Sequence, residues 1–169
     1  MPQVSLRDTR SARNDRRWIE GVYRDYLNDL APAATGIFPA LGEVGHREPD
    51  QLERWFSDRT AQVLTILYNV EPVGFAMVRR RASAGTAFEF SMAEFFIARP
   101  WRRRGIGAQA VRLLFDRFAG QWLITEHVRN TGAVKFWRGV VTAYTQGKYQ
   151  ERIVNGEVQQ HFASGVHRR

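Results

Sequence analysis

No cysteine occurs among the 169 residues, which excludes disulfides, thiolate metal sites and a cysteine acyl-enzyme together and fits a reducing compartment. The sequence also lacks an apolar run long enough to span a membrane. Its opening residues, MPQVSLRDTRSARNDRR, carry charge without the apolar core of a secretory signal. These absences lead to the expectation of a cytoplasmic protein without a membrane partner. Four histidines, His46, His127, His161 and His167, are isolated and show no metal-ligand spacing, so no metal is expected. Neither an internal repeat nor a linker is visible, and residues 1–169 read as one domain, long enough to bury a core.

What is present is a chain of 44% hydrophobic and 12% aromatic residues, the composition of a folded globule. The formal net charge of +8 admits a nucleic-acid or acidic partner, because neutralising phosphates with Lys and Arg supplies much of non-specific affinity. Against nucleic acid, the arginines are spread over Arg7, Arg10, Arg13, Arg79 to Arg81 and Arg168 to Arg169, interleaved with acids, as on solvated faces.

Hydropathy patterning predicts an opening strand at QVSLR, with Asp8 or Ser11 as a cap, and a helix over about 12–30, where Ile19, Tyr23, Leu27 and Trp18, Val22, Tyr26, Leu30 recur at helical spacing. Three prolines and three glycines make APAATGIFPALGEVGHREP a loop and a candidate wall for a substrate. A short helix at PDQLERWF precedes strands at QVLTILY and VGFAMVRRR and a third from Ala87 to Ile97, an antiparallel meander. A helix from Gly105 to about Phe118 and a strand at QWLITEH complete a strand–helix–strand unit, expected to be right-handed with parallel strands. After a short helix at NTGAVKFWRGV come a strand near Tyr144 and a hairpin through Asn155-Gly156, the pair that favours a type I′ turn.

The stretch RPWRRRGIGAQA sets three arginines before Gly105-Ile106-Gly107 at the start of a helix. A helix N-terminus offers unpaired backbone N–H groups and a partial positive charge, and glycine lets an anion approach them. Gly105, Gly107 and Ala110 also satisfy a dinucleotide-fold pattern, with Glu126 at the distance of a ribose ligand. Arg99 to Arg104 intervene between strand and glycine, however, and no further βαβ units follow Glu126, which argues against that fold. A glycine-softened helix start with exposed arginines is the plainest alternative.

The same residues resemble the GNAT superfamily of acyl-CoA-dependent N-acyltransferases. Arg102-Arg103-Arg104-Gly105-Ile106-Gly107 is similar to its R/Q-x-x-G-x-G/A signature. Asn130-Thr131-Gly132-Ala133 followed by Phe136-Trp137 resembles its N-x-x-A helix, and EPVGFAMV its preceding strand, so the likeness runs from about Gln62 to Trp137. The resemblance implies an α/β (α+β) fold: a mixed, mostly antiparallel sheet of six to seven strands, flanked by about four helices and splayed between the fourth and fifth strands. It implies acetyl-CoA as co-substrate and an amine as acceptor. The pantetheine arm would pair with the backbone of Phe95, Phe96 and Ile97, the pyrophosphate would sit on the amides of Arg102, Arg103, Arg104, Gly105, Ile106, Gly107 and Ala108, and Asn130 and Phe136 would flank the arm. Many relatives dimerise, which adds a homodimer to the expectations.

Acetyl transfer needs a base for the ammonium, a donor for the developing oxyanion and a proton for the departing thiolate. Glu94 stands in the apolar run from Ala93 to Ile97, where burial would raise its pKa, and is the first candidate base; the alternative is a carboxylate on a solvent face. Glu126, at the end of the other strand of the split, is the second; its alternative is an exposed strand end. Trp137 departs from the tyrosine that many relatives carry there, and an indole N–H cannot protonate a thiolate. Tyr144 is the nearest phenol in sequence. Beside the enzyme stand two other readings, a binding module for nucleic acid or an acidic partner, and an acyl-CoA binder without catalysis.

Overall fold

The computed structural model describes residues 3–30, 49–81 and 87–165. Seven strands form one sheet: β1 Val4–Asp8, β2 Ala61–Tyr68, β3 Glu71–Arg80, β4 Phe90–Ile97, β5 Gln121–His127, β6 Gln150–Val154 and β7 Glu157–Ala163, in spatial order β1-β2-β3-β4-β5-β7-β6. Every neighbouring pair is antiparallel except β4 and β5. Among the described residues four α-helices flank the sheet: α1 Arg13–Leu30, α2 Pro49–Ser57, α3 Ile106–Arg117 and α4 Thr131–Thr145.

The helical spacing read from α1 is realised in packing, for Ile19, Tyr23 and Tyr26 are buried and join Leu52 and Trp55 of α2 against Val63, Phe75, Met77 and Phe96 on one sheet face. On the opposite face Val111, Leu114 and Phe115 of α3 and Trp137 and Val141 of α4 meet Leu64, Ala76, Val78, Trp122, Ile124 and Phe162. Phe115 is fully buried, with ring contacts to Trp122, Tyr144 and Phe162 at 4.7 to 5.2 Å. Truncating such a side chain to alanine costs about 3–5 kcal/mol in lost transfer energy and cavity.

Two local devices fix the geometry near the split. Gly74 of β3 lies opposite Ile97, and a Cβ there would stand 2.2 Å from the Phe96 carbonyl oxygen, so only glycine lets β3 and β4 approach. Asp15, 1% exposed on its side chain, receives a forked ion pair from Arg7 of β1 (Nε to Oδ2 2.7 Å), which ties α1 to the sheet edge.

Several expectations shift. Asp8 does cap, but it caps a 3-10 turn at Thr9–Ser11 by accepting from the Arg10 amide at 2.9 Å, and α1 begins after that turn. β4 begins at Phe90 rather than Ala87. The strand expected near Tyr144 is absent: α4 runs on to Thr145, because Val134, Trp137, Val141 and Thr145 keep one buried face beyond Val140. Asn155 and Gly156 have φ of 51° and 79°, both positive as a type I′ hairpin between β6 and β7 requires. The loop at 31–48 and the turn expected at Ser83 to Thr86 lie outside the described residues.

Candidate active site

The parallel ladder between β4 and β5 consists of only two pairs, Phe90 with Trp122 and Ser91 with Leu123. Beyond Ser91, β4 pairs with β3 alone and β5 with β7 alone, so the sheet opens toward the C-terminal ends of β4 and β5. Helices α3 and α4 are the next helices along the chain after those ends, and Gly107 in the first turn of α3 lies beside Ile97 at the end of β4.

A β-bulge decides what each face of the opening carries. Met77 is opposite Glu94 while Val78 is opposite Met92, so Ala93 is the extra residue on β4. Strict alternation would put Phe90, Met92, Glu94 and Phe96 on one face. With the bulge, Phe90 and Phe95 pack with the α3/α4 cluster, Ala93 and Phe96 with the α1/α2 cluster, and Met92, at the opening, touches both the α3/α4 cluster and the Glu94 cavity. Glu94 is thereby turned into a cavity of about 410 Å³ on the α1/α2 side, lined by Trp55, Met77, Met92 and, across the opening, by Leu123 and Thr125 of β5.

Glu94 is 5% exposed, and burial pushes its carboxyl up to about 8. Glu126 is 7% exposed, and burial raises it to about 7 against a 2.7 Å hydrogen bond from Gln160 Nε2. The exposed strand end considered for Glu126 is not what forms. Its side chain shares the Trp122 and Ile124 side of β5, whereas Leu123 and Thr125 face the Glu94 cavity. Gln160 also donates to Glu151 at 3.1 Å, and Glu151 pairs with Arg138 of α4 at 2.9 and 3.0 Å. The two candidate acids are therefore not brought together.

On the α3/α4 face a groove of about 580 Å³ runs between the helices. Phe136 stacks on Phe95 with centroids 5.8 Å apart and 27° between planes, and a Cβ on Gly107 would lie 3.5 Å from the Phe136 ring and 3.6 Å from Ile97. Gly105, at φ 77°, holds the left-handed position that ends the loop, and no side chain caps α3. The Gln109 amide reaches back to the Gly105 carbonyl, leaving the amides of Ile106, Gly107 and Ala108 as the orphan donors of the first turn.

The three arginines divide their work. Arg102 Nε donates to the Ile97 carbonyl at 2.6 Å, and its guanidinium lies over Phe96. Arg104 lies over Trp101, and only Arg103 lines the groove, at φ 61°. Two further cations there, Arg112 and Lys135, were not picked out from sequence. Lys135 lies inside the N-x-x-A block, between Ala133 and Phe136, and could have been found by asking which α4 side chain projects beside Phe136. Asn130 caps α4, its Oδ1 accepting from the Ala133 amide at 3.2 Å.

Trp137 is buried against Phe95 and Phe136 at 5.3 and 5.1 Å, a core position. The Tyr144 hydroxyl donates to Asp116 at 2.7 Å and accepts from the Gly165 amide at 3.2 Å, pinning α4 to α3 and to the end of β7. Arg80 and Arg81 lie over Phe90 and Phe88, near the start of β4, whereas Arg102 to Arg104 follow its end. Eight residues of strand, roughly 25 Å, separate the two groups, so they do not form one basic patch. Among the described residues no three of His, Cys, Asp and Glu come together as a metal site, and no helix is long and apolar enough to cross a membrane.

A model of the acetyltransferase (GNAT) family matches residues 18–140. No curated protein matches the sequence. Similar solved structures include an acetyltransferase from Thermus thermophilus, at 16% identity and TM-score 0.61, covering 94% of this chain and 95% of that one. The PaiA N-acetyltransferase of Thermoplasma acidophilum, solved with coenzyme A, is 11% identical with TM-score 0.61 over 95% and 99% of the two chains. An aminoglycoside N(6′)-acetyltransferase from Legionella pneumophila is 12% identical with TM-score 0.62 over 95% and 91%. At these identities the likeness is one of fold. With the family match spanning most of its length, and a split sheet backed by an uncapped Gly-rich helix start, the chain belongs to the acetyltransferase (GNAT) family and is an acetyl-CoA-dependent N-acetyltransferase.

Proposed function

We propose that acetyl-CoA enters from the α3/α4 side, that its thioester lies in the opening between β4 and β5, and that a primary amine approaches from the α1/α2 side, where Glu94 is the general base. The observation that carries this reading is the bulge at Ala93, which sets Glu94 in a cavity spanning the opening while Phe95 lines the other face.

The amides of Ile106, Gly107 and Ala108, with the positive end of α3, suit a pyrophosphate, and Arg103, Arg112 and Lys135 add charge along the groove. Phe95, Phe136, Ile97 and the bare Gly107 form an apolar slot for the pantetheine arm. The edge of β4 beyond Ser91 supplies backbone groups for its amides and a donor for the oxyanion. Arg102 is a positioning residue that fixes the end of β4.

In the reaction the substrate ammonium gives one proton to the Glu94 carboxylate, directly or through water, and the free amine attacks the thioester carbonyl. The tetrahedral intermediate collapses with cleavage of the C–S bond. The second amine proton passes to solvent as the amide forms, and the thiolate, a good leaving group, takes a proton from Glu94 or from water, which returns Glu94 to its carboxylate form with one net proton released. This route needs neither a covalent enzyme intermediate nor a phenol at Trp137.

The test is steady-state turnover with acetyl-CoA and a panel of primary amines. Glu94→Gln is expected to lower kcat at least 100-fold with acetyl-CoA affinity, measured by calorimetry, within threefold of the wild type. Undiminished turnover in that variant would remove Glu94 from the mechanism.

A further inference from the structure

We infer that the acceptor is a small primary amine bearing an anionic group, a carboxylate or a phosphate, at the far end of a short apolar stem, and that Arg54 and Arg79 recognise that group. This rests on the proposed approach of the amine to Glu94. The cavity that holds Glu94 has three zones. Its buried end is the Glu94 carboxyl. Its walls are the apolar side chains Trp55, Met77, Phe88, Met92 and Leu123, with Ser91 and Thr125 among them. Its solvent side is formed by Arg54 and Asp58, one helical turn apart on and just past α2, and by Arg79 of β3.

The charges at that outer end are unequal. Asp58 is ionised and already engaged, for it accepts from the Thr60 hydroxyl at 2.7 Å and the Thr60 amide at 2.8 Å, which hold its pKa below the usual carboxylate range. Arg79 reaches Asp58 only at 3.5 Å and is 47% exposed on its side chain. Arg54 is exposed, and its guanidinium has no hydrogen-bond or ion-pair partner among the described residues. Two guanidinium groups thus face one carboxylate, whose Oδ1 is taken by Thr60 and whose Oδ2 is reached by Arg79 at 3.5 Å, so the outer end carries one more cation than anion, and a planar fork of donors suits a carboxylate or phosphate.

A polycation such as an aminoglycoside or a polyamine finds no surplus of negative charge here, with Arg54 and Arg79 against Asp58 at the entrance and one buried acid within. At about 410 Å³ the cavity is at the small end of ligand sites, sized for a compact molecule. The amine recognised by Glu94 and the anion recognised by Arg54 and Arg79 then fix the molecule at both ends.

The experiment compares kcat/KM for matched amines that differ only in the anion: 4-(aminomethyl)benzoate against 4-methylbenzylamine, and 3-aminopropylphosphonate against butylamine. Spermidine and kanamycin serve as polycations. The wild type is expected to prefer the anionic member of at least one pair tenfold or more. Arg54→Ala should reduce that preference at least fivefold through KM, and Arg54→Glu should invert it, with melting temperatures within a few degrees of the wild type. Equal or better use of the amines that lack the anion, or of the polycationic amines, or a preference untouched by Arg54→Ala, overturns the inference. If no amine of any kind is acetylated while calorimetry still shows acetyl-CoA binding, the acceptor inference fails and the family's co-substrate site stands. Failure to bind acetyl-CoA would instead strike at the proposed function itself.

Discussion

Among the described residues Glu94 and Glu126 are the two acids that burial drives toward neutrality, and they stand on opposite faces of one sheet, Glu94 in the cavity beside α2 and Glu126 on the α4 side in contact with Gln160. Their substitutions should separate. Glu126→Gln is expected to leave kcat within about fivefold of the wild type, because that side chain lies away from the cavity, held by Gln160, which itself bonds the Glu151 that pairs with Arg138. Side-by-side kinetics of Glu94→Gln and Glu126→Gln check this.

The pH dependence follows from the direction of the Glu94 shift. A base with a pKa of about 8 is protonated and inactive below that value, so kcat/KM should rise with pH and level off above about 8. The rise should disappear from the residual activity of Glu94→Gln. A profile with its limb near 4 to 5 would mean an ordinary exposed carboxylate is the base.

Stability should move the other way. A carboxyl whose folded-state pKa is raised keeps its proton in the native protein after the unfolded chain has released it, so its favourable contribution is complete below about 4.5 and is lost as pH climbs toward 8. At pH 8 Glu94→Gln, which has no charge to bury, is expected to be more stable than the wild type by roughly 2–4 kcal/mol. Thermal melts across pH 5 to 8 should show a smaller decline in the variant. The same carboxyl would then limit stability and supply the base.

Gly107→Glu tests the anion cradle. A Cβ at this position meets only ordinary contact distances, so the substitution does not strain the backbone. The carboxylate projects among Phe136, Ile97 and the amides of the first α3 turn. Acetyl-CoA affinity should fall at least 100-fold, while Gly107→Ala should lose about tenfold or less, both read by calorimetry.

Tyr144→Phe distinguishes a structural phenol from an acid. Removing the hydroxyl leaves Asp116 and the Gly165 amide without that partner and should cost about 1–2 kcal/mol in denaturant melts. kcat is expected to remain within about twofold. A kcat loss exceeding the stability effect would bring Tyr144 into the protonation of the thiolate.

The sequence by itself determined whatever depends on neighbours along the chain. Apolar spacing marked α1 and α3, the turn residues Asn155 and Gly156 fixed their hairpin, and the loop from Arg102 to Gly107 announced a helix start able to take an anion. These features arise from local sterics and unpaired backbone donors, which a short stretch specifies. Tertiary structure decided which face each side chain takes. Glu94 reaches the cavity only because β3 and β4 slip by one residue at Ala93, a register that belongs to two strands at once. Glu126 was read at a strand end and is buried because β7 and α4 close over it, and Tyr144 remained helical because its partners, Phe115, Asp116 and Phe162, come from other elements. Arg54 and Arg79 are 25 positions apart and acquire a common task only where α2 and β3 meet around one cavity, where burial and charge are summed over elements that the linear order keeps apart.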